Sequence, residues 1–249
     1  MRFDVITLFP EIIASVTDCG ITARAKKRGL WECHTWNPRM VTEDAHRTVD
    51  DRPFGGGPGM VMMAEPLAKT LEAIRRSGNQ GKVVSFAPNG KVLNDAMVRE
   101  WVARQDDMVL LCGRYEGIDE RFLQTHVDEV VSLGDFVLSG GEIPACALMD
   151  AIVRQLPGAI KTLSYEDESF KTGLLDAPHY TRPEVWRGMA VPEVLLSGHH
   201  AHIAQWTREE SLRFTLQNRP DLINMAHSSG LLSKADYAWL KKAGWIPED

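Results

Sequence analysis

Apolar residues in this chain come in short continuous runs, separated by stretches where they recur every three to four positions. FDVITLF (3–9), KVVSFA (82–87) and DMVLLC (107–112) are runs of branched and aromatic side chains of strand length. The third lacks polar alternation, which predicts a strand covered on both faces. Between the runs, AEPLAKTLEAIRRSG (64–78) sets Leu67, Leu71 and Ile74 on one helical face. NDAMVREWVARQ (94–105) opens with the N-cap candidate Asn94, and Pro10 opens a helix after the first strand. A short helix near IDERFLQ, a strand near VDEVVSL and a helix from about Glu142 to Gln155, ended by Pro157-Gly158, complete the alternation. Strand and helix in alternation predict an α/β fold with a mostly parallel sheet. Beyond residue 175 the strand signal fades. One helix is expected around HHAHIAQWTREESLRFTLQ and another after the capping box Ser233-x-x-Asp236, giving a small all-α C-terminal domain.

The pattern thus divides the chain into residues 1–160, a connector over 161–174, and a helical domain over 175–249. Composition fits this picture, with 249 residues of which 44% are hydrophobic and 25% charged. The N-terminus MRFDVITLFPEII has no leader pattern, and no run of eighteen apolar residues occurs, so a cytoplasmic protein without a membrane span is expected. Cys19, Cys33, Cys112 and Cys146 form no C-x-x-C pair and are expected to be buried thiols. The spacing of His199, His200 and His202 lacks partner ligands, so no metal site is expected there. A formal charge of −6 gives no global attraction to a polyanion, so any nucleic-acid contact must rest on local patches.

Glycine is concentrated in FGGGPGM (54–60), CGRYEG (112–117) and LGDFVLSGGE (133–142), two of which follow predicted strands. The carboxyl ends of parallel strands open into the crevice where α/β proteins hold ligands. Each cluster alone could be turns only, but three in one domain point to a pocket. No G-x-G-x-x-G, P-loop or G-x-S-x-G pattern is present, so loop backbone rather than a standard phosphate cradle would hold the ligand. A further feature is YEDESF (165–170), three acids in a row inside the connector. Such a run is ordinarily a solvated surface.

HRTVDDRPFGGGPGMVM (46–62), LCGRYEGIDER (111–121), SLGDFVLSGGE (132–142) and GLLDAPHYTRPEVW (173–186) together resemble the bacterial tRNA (guanine-N1)-methyltransferases. The resemblance runs from Phe3 to about residue 217. It implies a SPOUT-type domain whose backbone forms a deep trefoil knot, which general chain-topology rules would not have suggested. It also implies a flexible linker, a helical tRNA-binding domain, and a homodimer whose active site is shared between subunits. The implied reaction moves the methyl group of S-adenosylmethionine to N1 of guanosine 37, next to the anticodon, in tRNAs carrying G36-G37. A role for Mg2+ belongs to the same expectation, assigned to no residue.

The chemistry itself requires a base, because N1 of neutral guanine carries a proton, and a cation to meet the charge that develops on O6. The family pattern places the base immediately before Ser-Phe, which here is Glu168, with Asp167 as the alternative in a slipped register. A glutamate stands where an aspartate is the more familiar choice, one methylene longer at similar basicity. Arg154 matches the arginine expected at O6; read without the resemblance, it is a helix-terminal cation favoured by the dipole. For the methyl donor the resemblance carries over to Phe86, Ala87, Pro88, Gly113, Tyr115, Glu116, Ser132, Leu133, Gly134, Asp135, Phe136, Val137, Leu138, Gly140 and Gly141. Phe136 replaces a frequent tyrosine. For tRNA it carries over to Asp50, expected to read the base before the target, and to Asp176, His179, Tyr180, Arg182, Ser197 and His200. Near the last of these, Trp206-Thr207-Arg208 departs from the usual tryptophan-arginine pair, which unsettles the phosphate contact there. The two competing readings are a related SPOUT enzyme acting on another RNA position and a non-catalytic RNA-binding module, which would need neither Glu168 nor Arg154.

Overall fold

A computed structural model describes residues 1–160 and 168–247. The chain divides into two compact units, Met1–Lys161 and Thr162–Asp249.

The first unit is built on five strands, β1 (Arg2–Ile6), β2 (Glu32–Trp36), β5 (Lys82–Val92), β6 (Met108–Leu111) and β7 (Glu129–Ser132), in the order β2-β1-β6-β5-β7. Every neighbouring pair is parallel. A separate antiparallel pair, β3 (Asp50–Asp51) and β4 (Val61–Met62), sits outside this sheet. The pleat sorts side chains as the period of two requires. Phe3, Val5, Val84, Leu110 and Cys112 face one core. That core is closed by α1 (Pro10–Thr17), α2 (Gly20–Lys27), α4 (Asp95–Arg104) and α6 (Glu142–Val153). Ile6, Val83, Val109 and Leu111 face the other, closed by α3 (Ala64–Arg76) and α5 (Glu120–His126). With helices on both faces, β6 is buried throughout, which is why its sequence shows no polar alternation.

Strand β5 runs five residues further than its apolar stretch, because the ladder to β7 is interrupted rather than ended. Val131 pairs with both Phe86 and Lys91, so residues 87–90 loop out before the chain rejoins β7. Gly90 is required at the return: a Cβ there would lie 2.6 Å from the Val130 and Val131 backbone. Asn94 caps α4 by accepting from the Met97 N–H at 3.0 Å, as its position before the apolar pattern predicts.

The second unit contains α7 (Glu193–Leu196), α8 (His200–Asn218), α9 (Pro220–Ser228) and α10 (Lys234–Lys242) around Leu174, Leu212, Ile223, Ala226, Leu232 and Leu240. The all-α expectation needs one correction. Val185–Trp186 (β8) and Met189–Ala190 (β9) form a small antiparallel hairpin. Its turn is Arg187-Gly188, both at positive φ (51° and 83°), the conformation that matches the twist of tight hairpins.

The capping box at Ser233 is present in full, and its acid does more than cap. Asp236 accepts from the Ser233 N–H at 2.8 Å and from both Nε and Nη2 of Arg208, at 3.0 and 2.9 Å. Arg208 also donates to the Thr172 hydroxyl at 3.0 Å. Burial alone would raise the Asp236 carboxyl, but Arg208 and Ser233 together hold it below the usual carboxylate range. Asp236→Ala removes the acid's half of the capping box and leaves Arg208 without its fork, so it is expected to cost about 2–4 kcal/mol in denaturant unfolding. Because the folded carboxyl titrates lower than the unfolded one, its contribution is present above the unfolded value and fades as pH falls through the folded one. The deficit of the variant should therefore shrink in acid.

Candidate active site

The three glycine clusters meet. A cleft of about 250 Å3 opens beyond the carboxyl ends of β5, β6 and β7, lined by Ser85–Pro88, Gly113–Ile118, Ser132–Gly134 and Phe136–Gly141, with Leu123, Val131 and Pro144. Of the fifteen residues assigned to the methyl donor by resemblance, every one except Asp135 lies in this wall.

Glycine is what lets the loops converge. At Gly141 a Cβ would lie 2.7 Å from the Cα of Cys112, and the Gly141 N–H donates to the Gly113 carbonyl at 2.9 Å. The close approach welds the loop after β7 to the loop after β6. Gly59, at φ +82°, leaves room for the Glu116 side chain, while the Glu116 N–H donates to the Met60 carbonyl at 2.9 Å. The first glycine loop thereby packs on the second. Leu133, Phe136 and Leu138 give the wall apolar side chains, the usual lining of a small-molecule pocket.

Sequence reasoning passed over Arg114, although it lies inside GRYEG. Its Nε stands 2.9 Å from Oε2 of Glu142 as an ion pair, without the alignment of a hydrogen bond. Glu142 is fully buried at the first turn of α6, where a carboxylate suits the helix dipole, and its Oε1 accepts from the Thr7 hydroxyl at 2.8 Å. Arg114 Nη1 donates to the Ser139 carbonyl at 3.2 Å, and the guanidinium lies 4.3 Å from the centre of the Phe9 ring. A charged residue flanked by glycine just after a fully apolar strand was the available signal.

Asp50 sits on the β3–β4 ladder, which is fastened to the cleft loops through the Met62 N–H and the Gly117 carbonyl at 2.9 Å. Its Oδ1 is 4.0 Å from Nη2 of Arg39, and the same Nη2 donates to the Tyr115 hydroxyl at 3.2 Å. Tyr115 occupies a left-handed backbone position at φ +61°. Burial and the neighbouring Asp50 carboxylate push its phenol above the ordinary value.

Arg154 is the C-cap residue of α6, its N–H bonded to the Asp150 carbonyl at 3.1 Å. Arg154 belongs to the first unit and Glu168 to the second. Glu168 heads a folded turn. Its carbonyl accepts from the Lys171 N–H at 3.2 Å, Ser169 Oγ accepts from the Asp176 N–H at 2.9 Å, and Phe170 turns at φ +72° with its N–H on the Leu174 carbonyl at 2.7 Å. The Ser-Phe pair after the acid therefore has a mechanical reason: it anchors the acid to the second unit's core at Leu174. The alternative acid, Asp167, lies outside the described residues.

Apart from Asp50, the expected tRNA residues share that unit. Asp176 Oδ2 is 2.8 Å from His179 Nε2. The Tyr180 and Trp206 rings are tilted against each other at 6.2 Å. Ser197 donates to the Val194 carbonyl at 2.7 Å, while His200 begins α8 and, like Arg182, is exposed. The rings of His199 and His202 stack at 4.0 Å. Arg208 is engaged with Asp236, so its guanidinium serves the fold of the second unit. No group of three or more His, Cys, Asp or Glu among the described residues is arranged to hold a metal ion. No helix among them is long and apolar enough to cross a membrane.

Comparison with known proteins places these features in a family context. Residues 1–225 match the family model described as tRNA (Guanine-1)-methyltransferase TrmD. A protein of Thiobacillus denitrificans named tRNA (guanine-N(1)-)-methyltransferase is 61% identical, over 91% of this chain and 98% of its own length. Proteins of the same name from Burkholderia cenocepacia (56% identical, 96% and 93% covered) and Cupriavidus taiwanensis (52% identical, 98% and 97% covered) are similarly close.

Proposed function

The chain belongs to the tRNA (guanine-1)-methyltransferase family, and from that premise we propose that it methylates guanosine 37, next to the anticodon, in tRNAs in which guanosine 36 precedes it. It is a tRNA (guanine-N1)-methyltransferase, and a methyltransferase of this kind draws its methyl group from S-adenosylmethionine. The observation that carries the finer reading is the convergence of two glycine clusters, 112–117 and 133–142, on one cleft, with the third packed on Glu116 and every assigned donor residue but Asp135 in the wall. The cleft fits such a donor: apolar side chains such as Leu133, Phe136 and Leu138 stand in its wall to cover a purine, and Gly140 and Gly141 let the wall close against Arg114 and the Cys112 backbone without a side chain between. When bound, the donor supplies an electrophilic methyl group on a sulfonium.

The chain's own residues do the rest. Glu168 accepts the N1 proton, freeing the lone pair for in-line attack. Arg154 meets the charge that moves onto O6 with directed N–H donors. Asp50 accepts from N1–H and N2–H of the preceding guanine, while Asp176, His179, Tyr180, Arg182, Ser197 and His200 hold the anticodon branch. The target base leaves its stack to enter the cleft. Family membership further supports a SPOUT trefoil knot, a homodimer with a shared active site, a cytoplasmic setting and a dependence on Mg2+, together with the division into 1–160, 161–174 and 175–249.

The test is direct. Purified protein, labelled methyl donor and an unmodified transcript bearing G36-G37 should yield 1-methylguanosine at position 37, with the yield followed across a magnesium titration. Product at another position would favour a related SPOUT enzyme with a different target. Donor and RNA binding without product would favour the non-catalytic module.

A further inference from the structure

One cation, Arg39, touches both a residue of the cleft wall, Tyr115, and Asp50. Arg39 stands on a 3₁₀ turn, Pro38–Val41, whose start is capped by the Asn37 side chain accepting from the Arg39 N–H at 3.0 Å. Its guanidinium ties three segments together. Nη1 donates to the Arg47 carbonyl at 2.9 Å, and Nη2 donates to the Tyr115 hydroxyl at 3.2 Å while standing 4.0 Å from Asp50 Oδ1. Tyr115 lines the cleft and Asp50 lies on the ladder beside it.

A carboxylate that discriminates guanine from adenine must present both oxygens to N1–H and N2–H at one angle. A carboxylate free to rotate would meet either base with water in between. Arg39 supplies what fixes the angle without consuming it. At 4.0 Å it attracts Asp50 while leaving the oxygen lone pairs open, and its donation to Tyr115 Oη holds the guanidinium against the cleft wall. Lysine is a poor substitute, because a single nitrogen would have to serve the Arg47 carbonyl and the phenol that two guanidinium nitrogens reach separately.

We propose that Arg39, anchored by Tyr115, is the positioning residue that sets selectivity for guanine immediately before the target base. The inference rests on the assignment of Asp50 as the reader of that base. It also links the two ligand sites, since the phenol that holds the Arg39 guanidinium is part of the methyl donor's wall.

The experiment compares kcat/KM on two transcripts that differ only in guanine or adenine before the target, together with donor affinity by calorimetry. Arg39→Gln should lower the guanine-to-adenine ratio about tenfold. Arg39→Lys should recover little of it, and donor affinity should move by less than about threefold. Asp50→Ala should lower the ratio by at least as much, and the double variant should lose no more than Asp50→Ala alone, as for groups acting as a unit. Tyr115→Phe, which removes one hydroxyl, should lower the ratio about threefold and serves if Arg39→Gln does not fold. An unchanged ratio in Arg39→Gln or Tyr115→Phe, beside a collapsed ratio in Asp50→Ala, would overturn the role of Arg39 and leave Asp50 standing. An unchanged ratio in Asp50→Ala would remove the reader itself and this proposal with it, while N1 methylation in the same assay would still support the reaction.

Discussion

Glu168→Gln is expected to bind the methyl donor as the parent does and to lose about 10²- to 10⁴-fold in single-turnover methyl transfer, the range a positioned general base contributes. The amide keeps the shape of the side chain and cannot take the N1 proton. The guanine then attacks only as its rare deprotonated form or with water as base. Donor affinity should be retained because the residues assigned to the donor are all in the first unit, whereas Glu168 belongs to the second. The control is Asp167→Asn, expected to change the rate by no more than a few fold. Register decides between these acids, and the folded turn gives a reason to prefer Glu168. It is the residue joined directly to Ser169, whose Oγ is bonded to the Asp176 N–H, and its own carbonyl is bonded to Lys171. A base must be held within hydrogen-bond reach of its proton, and Glu168 is the acid nearest the anchor. Severe loss in Asp167→Asn with a mild effect in Glu168→Gln would move the base by one residue.

The acidic run YEDESF shows both how far a sequence speaks and where it stops. Charge alone marks a solvated connector, and only the Ser-Phe anchor separates one acid from its neighbours. Elsewhere legibility followed burial. β6 could be read because helices cover both its faces, so its sequence is apolar without interruption. β2, ECHTW, is an edge strand with no fully buried residue, and nothing in its composition distinguishes it from a loop. The continuation of β5 through Pro88-Asn89-Gly90 reads as a turn. It locally is one, and the return to β7 depends on a close backbone approach at Gly90 that no periodicity encodes. The hairpin at 185–190 has two-residue strands, too short for any pattern.

The glycine clusters were visible as clusters, but their convergence was not, because it depends on contacts such as Gly59 with Glu116, 57 positions apart. The Arg39–Tyr115 bond spans 76 positions and the Thr7–Glu142 bond 135. Pairings at such separations are set by sheet order, here β2-β1-β6-β5-β7. By contrast α9 opens with Pro220 at its first position, a start signal that local reading could have used.

Arg154→Gln should lower single-turnover methyl transfer about 10²- to 10³-fold, the loss seen when a donor aimed at developing charge is removed. Two roles compete for this residue, and they predict different readouts. As the C-cap residue of α6 it is a cation at the negative end of a helix, worth about 0.3–1 kcal/mol in stability and nothing in rate. As the O6 partner it acts mainly in the transition state, because neutral guanine carries only a partial charge on O6 and the full charge appears as the N1 proton leaves. Its removal should then depress kcat more than it raises KM for tRNA. Arg154→Lys separates the two further. Lysine keeps the charge, so helix-end stability should be unchanged, but a point ammonium lacks the planar fork that aligns N–H donors with a carbonyl-type oxygen. Restored stability with a rate still depressed at least tenfold would support the O6 role. A rate that returns with the charge would reduce Arg154 to general electrostatics, and a rate unaffected by Arg154→Gln would leave it as a helix cap. Combining Arg154→Gln with Glu168→Gln adds a last discrimination. Proton removal and charge stabilisation at O6 belong to one event, so the double variant should lose much less than the product of the single losses.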